Sequence, residues 1–301
     1  MGRLTAIVLG AAAGGGFPQW NCRCPVCRLA WDGDPRVTPR TQAGLAVSSG
    51  GHDWILINAS PDLRAQIEAT AVLHPHNGLR GSPISAVVLT GAEVDQIAGL
   101  LALRERSKFD LYATTETLAT IANNPIFGVL ACDCVQRHPV ALSQRFTLPG
   151  GLAAELFAVP GKVALYLENG EPEIAAQSGV NVGVEIISDD KRLIYIPGAA
   201  DLNKSVKERL DRADVVLFDA TLFDDDEMIR GGTGNKTGRR MGHMPIDGPD
   251  GTLATLTGLS GRRLLIHINN TNPVLIEGSP ERAHVTAAGW EVAEDGMEIV
   301  I

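Results

Sequence analysis

A glycine-rich segment runs into three cysteines in Gly10-Ala-Ala-Ala-Gly-Gly-Gly-Phe-Pro-Gln-Trp-Asn-Cys-Arg-Cys-Pro-Val-Cys27, which is the most informative stretch of the chain. The C-x-C-x-x-C spacing of Cys22, Cys24 and Cys27 lets three thiolates reach one point, which suits a tetrahedral zinc site. Disulfides inside so short a stretch would be strained and would leave one thiol over. The alternative is three free, buried cysteines, but cysteines clustered in a polar loop are rarely core residues. The stretch therefore predicts a zinc loop at residues 17–28.

The glycine-rich segment imitates a nucleotide-binding turn. A dinucleotide-binding loop must open into a helix whose N-terminus faces the phosphates. Here the chain continues through Phe17-Pro-Gln-Trp-Asn-Cys22 into the cysteines, and the lysine of a Walker loop is missing. We therefore interpret residues 10–16 as a structural turn that leads into the metal loop.

Composition and charge narrow the class of protein. The 301 residues are 45% hydrophobic and 20% charged, which is ordinary for a globular protein. A net charge of −9 argues against nucleic acid as a partner and favours a small molecule or a peptide as substrate. No uninterrupted apolar run is long enough to span a membrane. We expect a cytoplasmic, metal-binding protein.

Short apolar runs alternate with helix-like stretches along the chain. Strands are predicted at residues 6–9, 44–47, 54–58, 84–89, 111–113, 152–157, 182–187, 193–196, 215–218 and 264–268. Helices are predicted at residues 61–69, 94–106, 116–123, 203–212, 250–259 and 279–288. This order favours two mixed sheets with helices outside over one parallel sheet. We expect a single domain over residues 1–301, with mobile loops at residues 168–172 and 231–234.

Five segments together resemble the pyrroloquinoline quinone (PQQ) biosynthesis protein B family. They are residues 10–27, Asn58-Ala-Ser-Pro-Asp-Leu-Arg64, Val159-Pro-Gly-Lys-Val163, Met241-Gly-His243 and His267-Ile-Asn-Asn-Thr-Asn-Pro273. They span nearly the whole chain in the expected order. That family is a branch of the metallo-β-lactamase superfamily, so the resemblance implies an αββα sandwich of two mixed β-sheets flanked by helices.

The resemblance also implies that this chain has lost several metal ligands of the superfamily. Hydrolytic members carry His-x-His-x-Asp-His at a strand end, which holds two metal ions that activate water. The matching stretch is Leu89-Thr-Gly-Ala-Glu-Val-Asp-Gln96, in which only the aspartate is retained, as Asp95. The last superfamily histidine is retained as His267. The remaining ligand positions are occupied, in chain order, by Gly91, Glu93, Gln96, Lys162 and Gly198.

The resemblance implies a single harder metal in place of the hydrolytic pair. The candidate ligands that remain are Glu93, Asp95, Asp219 and His267, with Gln96 as a weaker one. Oxygen-rich ligation with histidine suits Fe(II), Mn(II) or Mg(II). The resemblance implies an iron-dependent, O2-using hydroxylase of the tyrosine ring in a Glu–Tyr-derived peptide, with other PQQ biosynthesis proteins as partners. The alternative is a carrier that moves PQQ or a precursor to the periplasm, and a hydrolase is a weaker third option.

Strand ends and one helix start supply these candidate ligands. Asp219 and His267 each follow a buried apolar run, where site residues of α/β proteins often lie. Taken alone, His267 would more often be a core histidine, and Asp219 a turn carboxylate. Without the family match, Glu93 and Asp95 would be carboxylates that stabilise the N-terminus of a helix. The resemblance favours a site role for all four.

Three basic side chains are candidates for catalysis and substrate binding. His243 can be a ligand, a general base or a substrate contact. Lys162 would repel a dication, so we expect it to contact an anionic group or the substrate. Arg239 can bind a carboxylate of an acidic substrate, although a solvated basic loop is an equally good interpretation.

The cluster of amides after His267 supplies a candidate fourth zinc ligand. In hydrolytic relatives, a histidine three places after the final site histidine completes the cysteine–zinc site, and that position here is Asn270. The zinc would then brace the loop that carries His267, which is a structural role typical of closed, sulfur-rich sites.

Overall fold

The computed structural model describes residues 2–168, 170 and 178–301. Fourteen strands lie in this part of the chain: β1 (Leu4–Gly10), β2 (Gly44–Ser49), β3 (Trp54–Ile57), β4 (Ile84–Val88), β5 (Phe109–Ala113), β6 (Val135–Pro139), β7 (Arg145–Thr147), β8 (Ala153–Ala158), β9 (Val182–Ser188), β10 (Lys191–Ile196), β11 (Val215–Asp219), β12 (Arg262–Ile266), β13 (Glu291–Val292) and β14 (Glu298–Val300). Nine α-helices accompany them: α1 (Pro25–Trp31), α2 (Leu63–Ala69), α3 (Val94–Ile97), α4 (Thr115–Asn123), α5 (Lys204–Leu210), α6 (Glu227–Arg230), α7 (Gly238–Met241), α8 (Thr252–Thr255) and α9 (Pro280–Ala287). Short 3-10 segments lie at Ala71–Leu73, Ala98–Leu103, Pro125–Val129, Pro149–Gly151, Leu165–Leu167 and Pro273–Leu275.

The strands form two seven-stranded sheets built on one plan. The first has the order β14-β1-β2-β3-β4-β5-β6, and the second has the order β13-β12-β11-β10-β9-β8-β7. Strands β3 to β6 run parallel in the first sheet, as do β10 to β13 in the second, and the other pairings are antiparallel. The predicted αββα sandwich of two mixed sheets is thereby confirmed.

Apolar side chains cover both faces of each sheet. The layer between the sheets draws residues from both, among them the fully buried Leu45, Ile55, Val184 and Ile186. A second cluster joins the first sheet to α2 and α4, and a third joins the second sheet to α5 and α9. Burying one such side chain contributes about 1.5–3 kcal/mol. Because neither sheet can bury its inner face alone, we propose that the chain folds as one domain.

The ten predicted strands are all confirmed, with ends shifted by at most two residues. The four strands that the sequence did not predict are β6, β7, β13 and β14, and these are the edge strands of the two sheets. Edge strands are short or polar, which protects their unpaired backbone groups from association. They therefore lack the apolar runs that identify the interior strands.

The helix predictions were less accurate at their ends. The predicted helix 94–106 is α3 followed by a 3-10 segment, because the chain at Gly99 packs against the backbone of Ser60. A Cβ at Gly99 would lie 2.1 Å from the Ser60 carbonyl oxygen. The predicted zinc loop 17–28 runs into α1, which begins at a proline, and the predicted helix 250–259 is only the short α8.

Two further predictions concern loops and the membrane. The predicted loop 231–234 contains no strand or helix, whereas most of the predicted loop 168–172 lies outside the described residues. Among the helices that the structure describes, none is long and apolar enough to cross a bilayer.

Candidate metal centre and active site

A cavity of about 610 Å³ lies at the carboxyl ends of strands from both sheets. Its walls include residues from the segments that follow β4, β10, β11 and β12, where α/β folds usually place functional side chains. The ionisable and amide side chains that line it include Glu93, Asp95, Gln96, Lys162, Lys236, His243 and His267.

Two imidazoles and two carboxylates meet at the inner wall of this cavity. Asp219, His243 and His267 offer ligand atoms within 4.8 Å of one another. Asp219 faces Nδ1 of His267, and Asp95 faces the other ring nitrogen, with its Oδ2 2.8 Å from Nε2. The two imidazole rings stack with their centroids 5.2 Å apart. His267 also has a left-handed backbone (φ 60°), a strained conformation that tends to occur at functional sites.

His267 is enclosed by two carboxylates. Burial alone lowers the pKa of its imidazole, but hydrogen bonds and charges from Asp219 and Asp95 outweigh this effect and raise the pKa to about 10. Burial likewise acts to raise the pKa of both carboxyl groups, but the imidazoles hold each below its usual value. This pocket therefore favours a positive charge, which a proton on His267 or a bound metal ion can supply.

Thr221 connects these groups and was missed by the sequence analysis. Its hydroxyl lies 2.7 Å from Asp219 Oδ1 and about equally close to the Nδ1 atoms of both histidines, at 2.9 and 3.0 Å. The second oxygen of Asp219 accepts hydrogen bonds from the Ala199 N–H (3.0 Å) and pairs with His243 Nδ1 (2.7 Å). Asp219 therefore orients His243 as well as His267. The only signal for Thr221 in the sequence is its place two residues after Asp219.

The three predicted zinc ligands lie together in a second cluster. Cys22, Cys24 and Cys27 offer sulfur atoms within 4.8 Å of one another, and the last two are buried. Asn270 Nδ2 lies 3.3 Å from Cys27 Sγ and 3.9 Å from Cys24 Sγ, so ligation through Oδ1 requires the amide to turn over. Burial raises the pKa of Cys24 to about 12 and also raises that of Cys27. Thiolates at this place therefore depend on a bound cation.

The cysteine cluster and the cavity share one loop. Asn270 contacts the cysteines, whereas His267 and Asn269 line the cavity. Between them, Ile268 bonds through its N–H and its carbonyl to the glycine-rich turn, at Ala11 (2.9 Å) and Ala13 (2.8 Å). A metal ion at the cysteines would thus fix the backbone that presents His267.

Glu93, which the sequence predicted as a metal ligand, lies outside the group formed by Asp95, Asp219, His243 and His267. Its carboxylate accepts hydrogen bonds from the Leu165 N–H at 3.1 and 3.2 Å and lies 3.4 Å from Lys162 Nζ. Lys162 also pairs with Glu168 at 2.9 Å, and its side chain is only 8% exposed. Glu93 and Lys162 therefore both line the cavity, but their charged groups anchor the segment 162–168.

Gln96 and Arg239 are also held by structural contacts. Gln96 Oε1 accepts a hydrogen bond from the Glu93 N–H at 3.2 Å, as in a capping box at the start of α3. The guanidinium of Arg239 donates to the carbonyls of Ala200 (3.3 Å) and Asp250 (3.0 Å) and lies outside the cavity lining. The predicted contact between Arg239 and substrate is thus not supported by its position.

Sequence comparisons identify close relatives over nearly the whole chain. A family model described as a β-lactamase superfamily domain matches residues 53–268. Coenzyme PQQ synthesis protein B of Methylorubrum populi is 54% identical over 97% of this chain and 98% of that protein. The protein of the same name from Ruegeria pomeroyi is 52% identical over 98% of this chain and 99% of its own length.

Solved structures point to the same family as the sequence comparisons. The Zn(2+)-bound PqqB from Methylobacterium extorquens matches with a TM-score of 0.96 and 53% identity, over 98% of this chain and 99% of that one. A diphosphatase from the PhnP family matches with a TM-score of 0.71 over 99% of this chain and 97% of that one. Its identity is only 21%, so this second likeness concerns the fold alone. By sequence and by structure, the chain belongs to the coenzyme PQQ synthesis protein B family of the β-lactamase superfamily.

Proposed function

We propose that this protein acts in PQQ biosynthesis as an Fe(II)-dependent, O2-using hydroxylase of the tyrosine ring in a Glu–Tyr-derived peptide. The observation that carries the proposal is the group of two imidazoles and two carboxylates, all but His243 buried, at the wall of a cavity of about 610 Å³. Histidine and carboxylate donors with open positions are the usual ligands of non-haem Fe(II) in oxygenases. The names of the relatives supply the pathway.

The donor set fits one such metal. Asp95 and His267 Nε2, 2.8 Å apart, would hold it, and the preference of their pocket for a positive charge supports this assignment. Asp219, which the sequence also predicted as a ligand, lies on the opposite side of the ring, with Oδ1 3.8 Å from His267 Nδ1, and would orient His267. When bound, Fe(II) would supply the activation of O2, whereas Mg(II) or Mn(II) would accept the same donors without that chemistry. Thr221 would keep Asp219 and His267 in position through its hydroxyl.

His243 is suited to moving a proton. Its Nδ1 is hydrogen-bonded to Asp219, and its Nε2 makes no hydrogen bond to any residue that the structure describes. The carboxylate of Asp219 on Nδ1 fixes the orientation of the ring, which leaves Nε2 available to exchange a proton with a substrate in the cavity.

Two lysines give the cavity wall a positive charge for an acidic peptide. Lys162 must exchange Glu93 or Glu168 for a substrate carboxylate before it can bind one. Lys236 also lines the cavity and has no ion-pair partner within residues 2–168, 170 and 178–301. We therefore assign the first contact with a substrate carboxylate to Lys236.

The cysteine cluster has a separate, structural role in this proposal. Cys22, Cys24, Cys27 and Asn270 would hold zinc, which fits the sulfur-rich donor set and the zinc of the solved relative. The zinc would keep the loop after β12 in place and take no part in the chemistry.

The test is anaerobic loading of the zinc-containing protein with Fe(II), followed by O2, ascorbate and a Glu–Tyr dipeptide. Insertion of one oxygen atom into a ring C–H bond, with reduction of the other to water, consumes two electrons, which ascorbate supplies. We expect mass spectrometry to detect one added oxygen only when iron is present. His267→Ala should lower this yield by at least about 100-fold, because it removes a ligand.

His284→Ala serves as the control, since His284 is 54% exposed and, among the described residues, pairs only with Asp247. The yield of hydroxylated dipeptide from His284→Ala should equal that from the wild type. Equal yields from wild type and His267→Ala, or oxidation by the zinc-only protein, would overturn the proposal.

A carrier is the second candidate, and one observation favours it. Glu93, Gln96 and Lys162 occupy former ligand positions and are all held by contacts within the protein. A carrier would bind PQQ with micromolar or tighter affinity and would turn over nothing under any metal. If the wild type adds no oxygen, activity in Gln96→His would show that position 96 disables this chain, and continued inactivity with tight PQQ binding would favour the carrier.

A further inference from the structure

A second concavity, of about 1050 Å³, lies at the other end of the first sheet. Its walls come from the segments that precede β4, β5 and β6. These strands are parallel, so their starts share one edge of the sheet, whereas the metal centre lies beyond the end of β4. We call this concavity the basic groove, after the residues described next.

The groove is positively charged in a protein whose net charge is −9. It is lined by one acid, Glu105, and by four cations: Arg80, Arg104, Arg106 and Lys108. Two of the arginines pair with the exposed carboxylates of Glu105 and Asp133, and such pairs are weak. Within the described part of the chain, Arg80 and Lys108 pair with no carboxylate. The groove can therefore accept several anionic groups without losing any buried contact.

Apolar side chains are exposed beside these charges. Leu79 lines the groove and is the most exposed large apolar side chain that the structure describes. Val129 lines the opposite segment and is 43% exposed. Covering such side chains removes apolar surface from water and therefore favours binding. Exposed apolar groups rimmed by charge are typical of a surface that binds another protein.

We infer that the basic groove binds an acidic polypeptide segment that carries at least one large apolar side chain. Carboxylates of the segment pair with Arg80 and Lys108, and its apolar side chain covers Leu79. A planar anionic bilayer fits less well, because it would meet a concave wall only at the rim and would be repelled by the rest of this acidic protein. A segment bound here leaves the cavity open, since the two lie at opposite ends of β4.

The test measures binding of two dye-labelled peptides by fluorescence anisotropy. One peptide is rich in glutamate with central leucines, and the other contains glutamate only. The groove variant is Arg80→Glu combined with Lys108→Glu. The control is Arg64→Glu combined with Lys204→Glu, which reverses equal charge at side chains that are 83% and 90% exposed outside the groove.

We expect the groove variant to bind the leucine-containing peptide at least about tenfold more weakly than the wild type, and the control to match the wild type. Raising the salt concentration from about 20 to about 200 mM should also weaken wild-type binding. Leu79→Ser should weaken binding of the leucine-containing peptide and leave the other unchanged.

Three results would overturn the inference. The first is no binding of either peptide by the wild type. The second is equal weakening in the groove variant and the control, which would show a diffuse charge effect. The third is binding to phosphatidylserine vesicles that depends on Arg80 and Lys108 without any binding of peptide, which would assign the groove to a membrane surface.

Discussion

Replacing Asp95 by asparagine tests the electrostatics of the proposed metal centre most directly. The Oδ2 atom of Asp95 lies 2.8 Å from His267 Nε2, and the two side chains are only 11% and 9% exposed. Asparagine keeps the size of the side chain but removes its charge and replaces one acceptor by a donor. The change therefore leaves the packing intact and removes one of the two carboxylates that enclose His267.

The expected magnitude follows from this contact. Removing a carboxylate that supports a metal-binding histidine typically weakens metal binding by about 10–100-fold. At about 1.36 kcal/mol per factor of ten, this is a loss of ~1.4–2.7 kcal/mol in the free energy of Fe(II) binding. The upper end is expected if Asp95 also contacts the metal itself, as we propose.

The assay is anaerobic equilibrium dialysis against Fe(II), with both metals quantified in each sample. Zinc, which we propose that the cysteine cluster holds, serves as an internal reference for intact protein. Asp214→Asn is the matched control, because Asp214 lies just before β11, at the opposite end of that strand from Asp219. Wild-type Fe(II) affinity in Asp95→Asn, with zinc retained and an unchanged circular dichroism spectrum, would refute this reasoning.

Three further changes test separate parts of the molecule. Burial raises the pKa of Glu227 from 4.5 to about 7, so its ionisation destabilises the fold as the pH rises through that window. Between pH 5 and pH 8, the wild type should lose about 2–3 kcal/mol of unfolding free energy, as measured by urea denaturation, whereas Glu227→Gln should not show this loss. Cys24→Ser should release zinc on dialysis and lower the thermal midpoint by roughly 5–10 °C, whereas an unchanged zinc content would contradict the ligand assignment. Glu185→Ala should cost about 3 kcal/mol in guanidinium unfolding, because Arg192 and Arg209 would lose their shared carboxylate; a loss below about 1 kcal/mol would argue against this ionic network.

The interior of the fold could be predicted from the sequence, but its edges could not. Strands such as β3 and β11 are buried on both faces, so their apolar runs are visible in the chain itself. The edge strands β6 and β13 are polar or only two residues long, and they form because a neighbouring strand offers hydrogen bonds. No local pattern encodes that neighbour.

The same division holds at the proposed metal centre. The spacing of the three cysteines predicts their cluster, and the apolar runs before Asp219 and His267 predict side chains at the ends of buried strands. The contact between Asp95 and His267, which are 172 residues apart, and the hydrogen bonds of Thr221 to Asp219 and both histidines appear only in the folded protein. The same is true of the contact by which Glu93 anchors Leu165. Local spacing determines at which point of a strand or loop a side chain is attached. Its contacts, however, depend on which distant segments the packed sheets bring to the same end of the sandwich.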